Sequence, residues 1–325
     1  MGNSSQETHP EGTGTTLIAA VQALRPKQWV KNILLFAALI FSLNFTDLHM
    51  WVQTFCAFLS FCLVSSTGYI YNDIRDIEVD RLHPKKCRRP IAAGRLSLGA
   101  ARVLMVGIFL TGCALAFALS LSTLEPGETF SSRPPWFLLV TLLYFSTTLS
   151  YTFLFKNMVI LDVMFIAAGF VWRAAAGAIA IQVEISAWLL VCTVFLSLFL
   201  GFNKRRGELA LMKSQAATTR KILQEYNSSL LLQIQSITTS GTIISYALYA
   251  VLGSPFRPEQ PWLLLTLPHV LYGVFRYMYL VEVKGEGGAP DETLLKDKPL
   301  LLTCALYGIT VVLILACAPA SAFRG

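Results

Sequence analysis

Charged residues are scarce in this sequence: Asp, Glu, Lys and Arg make up only 14% of its 325 residues. Soluble domains usually carry about 25% charged residues. Hydrophobic residues reach 54%, and the mean hydropathy is +0.58. A soluble protein of this composition would need many central helices without a polar face. The shortage of charge therefore indicates that lipid surrounds most of the chain.

Histidine is rare, and the cysteines are not arranged in pairs. There are four histidines and seven cysteines, no CxxC motif occurs, and six of the cysteines lie in apolar stretches. This pattern is typical of small core residues and argues against a disulfide framework or a zinc-type site. The net charge is +7, but no basic soluble domain is present to carry nucleic acid, so we expect no nucleic-acid partner.

Long charge-poor stretches recur along the chain, each near the ~20 residues that cross a bilayer as a helix. We predict an all-α, polytopic membrane protein whose nine transmembrane helices form one domain at residues 21–325. Residues 1–20 are rich in Gly, Ser and Thr, which predicts a disordered tail. The nine predicted spans are Trp29–Phe45, Trp51–Tyr71, Val103–Leu121, Pro135–Phe155, Met158–Ile181, Ala187–Phe202, Leu230–Leu252, Trp262–Leu280 and Pro299–Ala318.

The basic residues fall almost entirely on one side of this predicted bundle. With nine spans, all of the 26 Lys and Arg residues except Arg133, Arg257 and Arg324 belong to the N-terminal side or to the even-numbered loops. The positive-inside rule then predicts a cytoplasmic N-terminus in an inner or plasma membrane. Such a basic face can contact anionic membrane lipids, and it can equally attract anionic substrates.

An acidic motif follows the second predicted span, in the stretch YNDIRDIEVDRLHPKKCRRPIAAG at 71–94. On one continuous helix, Asn72, Asp73, Asp76 and Asp80 share an arc of about 100°. Three neighbouring carboxylates repel one another unless a cation intervenes, and Mg²⁺ prefers oxygen ligands. We therefore predict that these four residues form a Mg²⁺ site.

Basic residues follow the acids directly, at Lys85, Arg88 and Arg89. Guanidinium groups match phosphate oxygens in pairs, and lysine adds a mobile charge. Two alternatives are open: the run anchors the chain at the membrane surface, or the acids pair within the motif with Arg75, Arg81 or Arg88. Acids and bases at one place favour a metal-bound polyphosphate.

Polar residues also stand at the other helix ends on the basic side. Arg173 lies well inside its helix, where a charge is costly and indicates a function or a paired partner; an ion pair with Asp162 is the alternative. The glycine-rich segment 285–288 is either a lid over the site or an ordinary loop. The further predicted substrate-binding residues are Lys27, Lys31, Tyr151, Lys156, Arg173, Lys204, Arg205, Glu208, Arg276 and Tyr277.

These motifs resemble a known family. NDIRDIEVD is similar to the NDxxDxxxD signature of the UbiA superfamily of intramembrane prenyltransferases, whose nine helices surround a cytoplasmic-facing active-site mouth. RPKQWVKN at 25–32, KRRGEL at 204–209 and RYMYLVEV at 276–283 further resemble its branch of decaprenyl-phosphate phosphoribosyltransferases. One departure from quinone-type members matters: in place of their second DxxxD motif, this chain has Asn203, Lys204 and Arg205.

The resemblance implies a Mg²⁺-dependent phosphoribosyl transfer. The donor would be phosphoribosyl diphosphate (PRPP) and the acceptor a polyprenyl phosphate, and the product would serve cell-envelope pentose donors such as those for arabinan. Asp73, Asp76 and Asp80 would hold the metal, and Asn72 would orient ligands. The alternatives are a prenyltransferase with an aromatic acceptor, a transporter, and a non-catalytic membrane protein. A homo-oligomer is left open.

Overall fold

A computed structural model of the chain describes residues 13–42, 46–84, 86–124, 134–214, 223, 225–253, 255–256, 260–286 and 290–318. Within these ranges, only the backbone is described at 13–15, 211–214 and 291–292. The regular secondary structure is helical, which confirms the all-α prediction. The helices are α1 Thr13–Ala23, α2 Phe36–Phe41, α3 Leu48–Arg75, α4 Ile77–Leu82, α5 Leu98–Ser122, α6 Trp136–Phe153, α7 Leu161–Ala180, α8 Ala187–Ser214, α9 Ser228–Leu248, α10 Leu267–Glu282, α11 Pro290–Lys296 and α12 Lys298–Cys317.

Seven helices in the described part of the chain are long and apolar enough to cross a membrane. Each overlaps one of the nine predicted spans, so the prediction of a polytopic arrangement agrees with them. They are α3, α5, α6, α7, α8, the segment Trp262–Glu282 that contains α10, and α12.

The first predicted span, Trp29–Phe45, does not form a helix of membrane length in its described part. Pro26–Leu35 is a 3₁₀ helix with proline at its start, and α2 adds only six residues. Proline suits a helix start because its φ is fixed and it lacks an N–H. The segment packs tightly on α7, where a Cβ at Gly177 would lie 2.2 Å from the carbonyl oxygen of Leu35.

The other exception is α9, which has 21 residues but is too polar to count as a span by composition. Polar side chains within a helix bundle are tolerated where they bond to neighbouring helices. Gln235 does so, since its Nε2 donates to Asn203 Oδ1 of α8 at 2.8 Å. The buried polar residues of α9 are Gln235, Thr238, Thr239, Thr242 and Ser245.

The predicted disordered tail is wrong for its last residues, because α1 begins at Thr13. Ala19 and Ala23 are 0% and 1% exposed and pack in a cluster with Ile70 of α3 and with Ile91. The small alanine side chains allow this uncharged helix to lie close to α3. Residues 1–12 lie outside the described part of the chain.

The helix that positions the site is α3, which contacts α1, α2, α4, α5, α6 and α7. Its approach to α5 is close, since Ser60 Oγ donates to the carbonyl oxygen of Gly112 at 2.8 Å. A Cβ at Gly112 would lie 2.8 Å from Val64 Cγ2, so this contact requires a residue without a side chain. Tight packing on several sides holds the C-terminal end of α3, and with it the acidic motif, in a fixed place.

Candidate active site

The acidic motif lies where α3 ends and α4 begins. The backbone breaks at Asp76, which has φ −98° and ψ 16° and separates the two helices. Asp73 and Asp80 have side chains 3% and 2% exposed, whereas the side chain of Asp76 is 43% exposed. The predicted arc of four residues assumes one continuous helix, whereas the backbone of Asp76 is non-helical; Asp73 and Asp80 are buried, and Asp76 is more exposed. Metal binding by Asp76 and Asn72 stays a prediction.

Arg89 bridges the two buried carboxylates. Its Nη1 atom donates to Asp73 Oδ1 at 3.0 Å and to Asp80 Oδ2 at 2.5 Å. Arg25 donates to the same oxygen of Asp73, and Lys86 Nζ lies 3.8 Å from Asp80 Oδ1. The acids therefore do pair with cations of the chain, but these are not the three arginines that the alternative interpretation named.

A tight turn in the basic run brings Arg89 into contact with the buried acids. Lys86–Arg88 forms one 3₁₀ turn, and the Arg89 N–H donates to the carbonyl oxygen of Lys86 at 2.9 Å. Gly94 follows with φ 74°, a conformation that glycine adopts without steric cost. The chain turns there and continues into α5. Arg89 thereby contacts both Asp73 of α3 and Asp80 of α4.

Arg25 is a site residue that the sequence analysis did not assign. Its backbone has φ 53° and ψ 61°, in the left-handed region that non-glycine residues rarely adopt. Its guanidinium carbon lies 5.3 Å from the centroid of the Tyr69 ring, in a cation–π contact. Two signs were present in the sequence: Arg25 opens the RPKQWVKN motif, and the ring of the following Pro26 disfavours the right-handed helical conformation in the residue before it.

A polar stripe on α3 leads from the acidic motif into the bundle. Its members repeat at three- and four-residue spacing and so share one face. Ser66 Oγ accepts from Trp29 Nε1 at 3.1 Å, and Asn32 Nδ2 donates to Ser65 Oγ at 3.4 Å. The 3₁₀ segment Pro26–Leu35 thus covers this stripe. The stripe consists of Cys62, Ser65, Ser66, Tyr69 and Asp73.

Arg173 is bound by protein groups at the deep end of the stripe. It lies roughly 18 Å along α7 from the first residue of that helix, and it is 6% exposed. Its Nε donates to Asn32 Oδ1 at 2.8 Å, its Nη1 to the carbonyl oxygen of Gly169 at 2.9 Å, and its Nη2 to Tyr144 Oη at 2.8 Å. No carboxylate forms an ion pair with it in the described ranges. A direct contact of Arg173 with substrate stays a prediction.

Asp162 belongs to a different buried network, so the alternative of an ion pair with Arg173 is wrong. Arg205 Nε donates to Asp162 Oδ2 at 2.7 Å, and Arg205 Nη1 donates to Glu208 Oε2 at 2.6 Å. The side chains of Arg205 and Asp162 are 1% and 0% exposed. Arg205 and Glu208, which we predicted as substrate ligands, therefore have structural partners.

Tyr226 completes this network from the segment just before α9. Its hydroxyl donates to Asp162 Oδ1 at 2.9 Å and accepts from the Ile160 N–H at 2.7 Å. Burial raises the pKa of Tyr226, so the hydroxyl remains protonated and able to donate. Ile160 has φ 69°, which is strained for a β-branched residue and persists only where its surroundings fix it.

The remaining predicted residues near the acids differ in exposure. Lys156 Nζ lies 3.9 Å from Asp76 Oδ1, and Lys31 Nζ donates to Gln28 Oε1 at 2.5 Å. Lys27 and Arg88 are exposed, whereas Asn72 and Tyr151 are half-buried in α3 and α6. Lys85 lies outside the described residues, as do positions 287 and 288 of the predicted lid segment.

The predicted residues of the C-terminal half lie on α8 and α10. Arg276 donates to both carboxylate oxygens of Asp297, at 3.2 and 2.8 Å, and this bond lowers the pKa of Asp297. Tyr277 is buried with its ring 5.7 Å from that of Phe199. Lys204 is half-buried on α8.

The donor chemistry at Asp73 and Asp80 fits Mg²⁺. Both carboxylates offer oxygen ligands, and a single cationic nitrogen already lies between them. No group of three or more His, Cys, Asp or Glu side chains is arranged to hold a metal ion within the described part of the chain. Mg²⁺ usually takes one or two carboxylates and completes its shell with water and substrate phosphates, so two carboxylates are sufficient.

The fold and the site together define a class of protein. The profile of the UbiA prenyltransferase family matches residues 33–289. The chain therefore belongs to the UbiA prenyltransferase family, and the seven apolar helices found among its described residues make it an integral membrane protein.

Individual relatives are more specific. The decaprenyl-phosphate phosphoribosyltransferase of Corynebacterium glutamicum is 33% identical over 296 residues, which cover 90% of this chain and 85% of the relative. The protein of the same name from Mycolicibacterium smegmatis is 31% identical over 311 residues, covering 91% and 92%. The solved structure of a UbiA homolog from Archaeoglobus fulgidus bound to GPP and Mg²⁺ aligns with a TM-score of 0.62 and 19% identity, over 92% of this chain and 97% of that one. This structural likeness shows the fold.

Proposed function

We propose that the protein transfers the 5-phosphoribosyl group of PRPP to a polyprenyl phosphate, giving polyprenylphosphoryl-5-phosphoribose and diphosphate. The observation that carries this proposal is the similarity, over 90% of the chain, to relatives that are decaprenyl-phosphate phosphoribosyltransferases. Two buried carboxylates surrounded by cations suit a donor that carries a diphosphate and a metal ion.

The C-terminal part of α8 supports this donor over a prenyl diphosphate. Asn203 is buried, and its Nδ2 donates to the carbonyl oxygen of Phe199 at 2.7 Å while its Oδ1 accepts from Gln235. Glu208 is bound to Arg205. The place of the second acidic motif of quinone-type prenyltransferases is thus taken by groups that already have protein partners, which argues against a second metal ion there.

In this proposal Asp73 and Asp80 hold Mg²⁺, which when bound neutralises the diphosphate leaving group. Arg25, Lys86 and Arg89 bind the oxygens of the diphosphate as the bond to ribose C1 breaks. The acceptor phosphate is already an anion, so its attack requires positioning and charge stabilisation rather than a general base. We assign the other two phosphates, those of the ribose and the lipid, to Lys27, Lys31, Lys156, Lys204 and Arg276 as a group.

We further propose nine membrane segments, counting Pro26–Phe41 and α9, with the N-terminus and the acidic motif on the cytoplasmic side. The distribution of Lys and Arg supports this orientation. In this arrangement, water-soluble PRPP reaches the site from the cytoplasm, while the polyprenyl phosphate arrives from the bilayer.

The test combines purified protein, labelled PRPP, a short-chain polyprenyl phosphate and Mg²⁺. We expect lipid-linked phosphoribose, and we expect Asp73→Asn to abolish it. Glu78→Gln is the matched control, because Glu78 is exposed on α4 and pairs with Arg81 at the surface. In sealed membranes, PRPP should react only from the cytoplasmic face. The proposal fails if no lipid-linked phosphoribose forms while a prenyl diphosphate alkylates an aromatic acid.

A further inference from the structure

The carboxylates of the site are fully neutralised by side chains of the chain itself. Asp73, Asp76 and Asp80 together carry three negative charges. Four cationic side chains lie within 3.9 Å of these carboxylates, so this cluster has no excess of negative charge with which to attract a metal ion. The four cations are Arg25, Lys86, Arg89 and Lys156.

Arg89 occupies oxygens of the two carboxylates that would hold the metal ion. Its Nη1 contacts Oδ1 of Asp73 and Oδ2 of Asp80 at the same time, and these are oxygens that a shared divalent cation would use. A metal ion and a guanidinium group repel each other at such short distances. Binding of the metal therefore requires Arg89 to leave the carboxylates.

A bound diphosphate offers Arg25 and Arg89 alternative anionic partners. Guanidinium groups bind phosphate oxygens in the same bidentate geometry in which they bind carboxylates. Their side chains are 26% exposed for Arg25 and 28% for Arg89, so both can turn toward a ligand without opening the bundle. Arg205, in contrast, is 1% exposed and is fixed by its partners.

We infer that Arg25 and Arg89 are exchangeable counterions, through which the divalent metal and the diphosphate bind as one unit. The metal replaces the guanidinium groups at Asp73 and Asp80, and the guanidinium groups move to the diphosphate oxygens. The inference rests on the proposed function and adds that the metal and the diphosphate bind cooperatively. Because coupling between two ligands is reciprocal, metal alone binds weakly and diphosphate alone binds weakly, and each strengthens the other.

The experiment measures binding and needs neither PRPP nor lipid. Mn²⁺ replaces Mg²⁺ as a spin probe, and the free ion is quantified by its EPR signal with and without inorganic diphosphate. A blank without protein corrects for Mn²⁺ bound by diphosphate in solution. For the unmodified protein we expect diphosphate to tighten Mn²⁺ binding by about tenfold or more. Equal Mn²⁺ affinity with and without diphosphate would overturn the inference.

Charge variants separate the exchange from general electrostatics. Arg89→Gln should tighten the binding of Mn²⁺ alone and reduce the enhancement by diphosphate, whereas Arg89→Lys, which keeps the charge, should leave metal alone weakly bound. Arg81→Gln is the matched control: it removes one positive charge from α4, but Arg81 pairs with Glu78 rather than with the buried acids. An effect of Arg81→Gln equal to that of Arg89→Gln would contradict the inference.

Arg25→Gln provides the second variant, with melting temperatures measured for all proteins. If Arg89→Gln does not fold, the same shift in Mn²⁺ affinity is expected from Arg25→Gln, and its absence overturns the inference. Because these measurements contain no phosphoribosyl donor, they can succeed even if the transfer reaction fails. The failure of the proposed function and the failure of the counterion exchange are therefore distinguishable.

Discussion

Replacing Arg205 by glutamine should destabilise the fold before it affects any chemistry. The substitution leaves the carboxylate of Asp162, which is 0% exposed, with the hydroxyl of Tyr226 as its remaining side-chain donor. Breaking a buried ion pair by removing one partner costs about 3–5 kcal/mol, because the other charge remains buried. Asp162→Asn should cost less, about 1–3 kcal/mol, because Arg205 keeps its bond to Glu208, which is partly exposed.

The assay is unfolding in mixed micelles, followed by circular dichroism, with Arg206→Gln as the control. Arg206 is the adjacent residue, but its pair with Glu282 is exposed at 21% and 32%, and such pairs contribute at most about 1 kcal/mol. Equal losses for Arg205→Gln and Arg206→Gln would refute the structural role of the buried pair. So would a folded Arg205→Gln protein with unchanged stability and lost activity, which would support the predicted contact with substrate.

Two further predictions concern helix contacts and the buried tyrosine. Gly177→Ala should lower the melting temperature, at a cost of about 1–3 kcal/mol, because its Cβ would meet the backbone of Leu35; Gly308→Ala, where a Cβ meets nothing within 4 Å, should be neutral or slightly stabilising. An equal loss in both would show that the close approach is not the cause. Tyr226→Phe should cost about 1–3 kcal/mol, because the bonds of its hydroxyl to Asp162 and to a backbone N–H are lost together. Unfolding transitions that coincide with those of the unmodified protein would contradict this.

Hydropathy was sufficient for the seven long apolar helices of the described part of the chain, because their composition alone separates them from the loops. It did not reveal that Pro26–Leu35 is a 3₁₀ helix, which begins at a proline and in which Gln28 and Asn32 form side-chain hydrogen bonds. It also predicted a span at α9, although this helix is more polar than the seven because Gln235 and its threonines are buried. Hydropathy scores each side chain by its type and takes no account of hydrogen bonds that the side chain makes to another helix.

The candidate site was predicted in part for a similar reason. Helical spacing correctly brought Asp73 and Asp80 to one place, but it did not reveal the non-helical backbone of Asp76, across which the Asp80 N–H still bonds to the Asp76 carbonyl oxygen. The partners of the acids were unpredictable from spacing, since Arg25 is 48 residues from Asp73 in the sequence. Such contacts depend on the packing of the whole bundle.

The bond between Tyr226 and Ile160 also bears on the order in which the chain assembles during membrane insertion. The two residues are 66 positions apart, so the turn before α7 is synthesised long before its partner reaches the membrane. Until α8 is inserted and α9 begins, Ile160 has no hydroxyl to bond, and Asp162 lacks both Arg205 and Tyr226. The turn before α7 is therefore completed only by contacts with segments that are synthesised later.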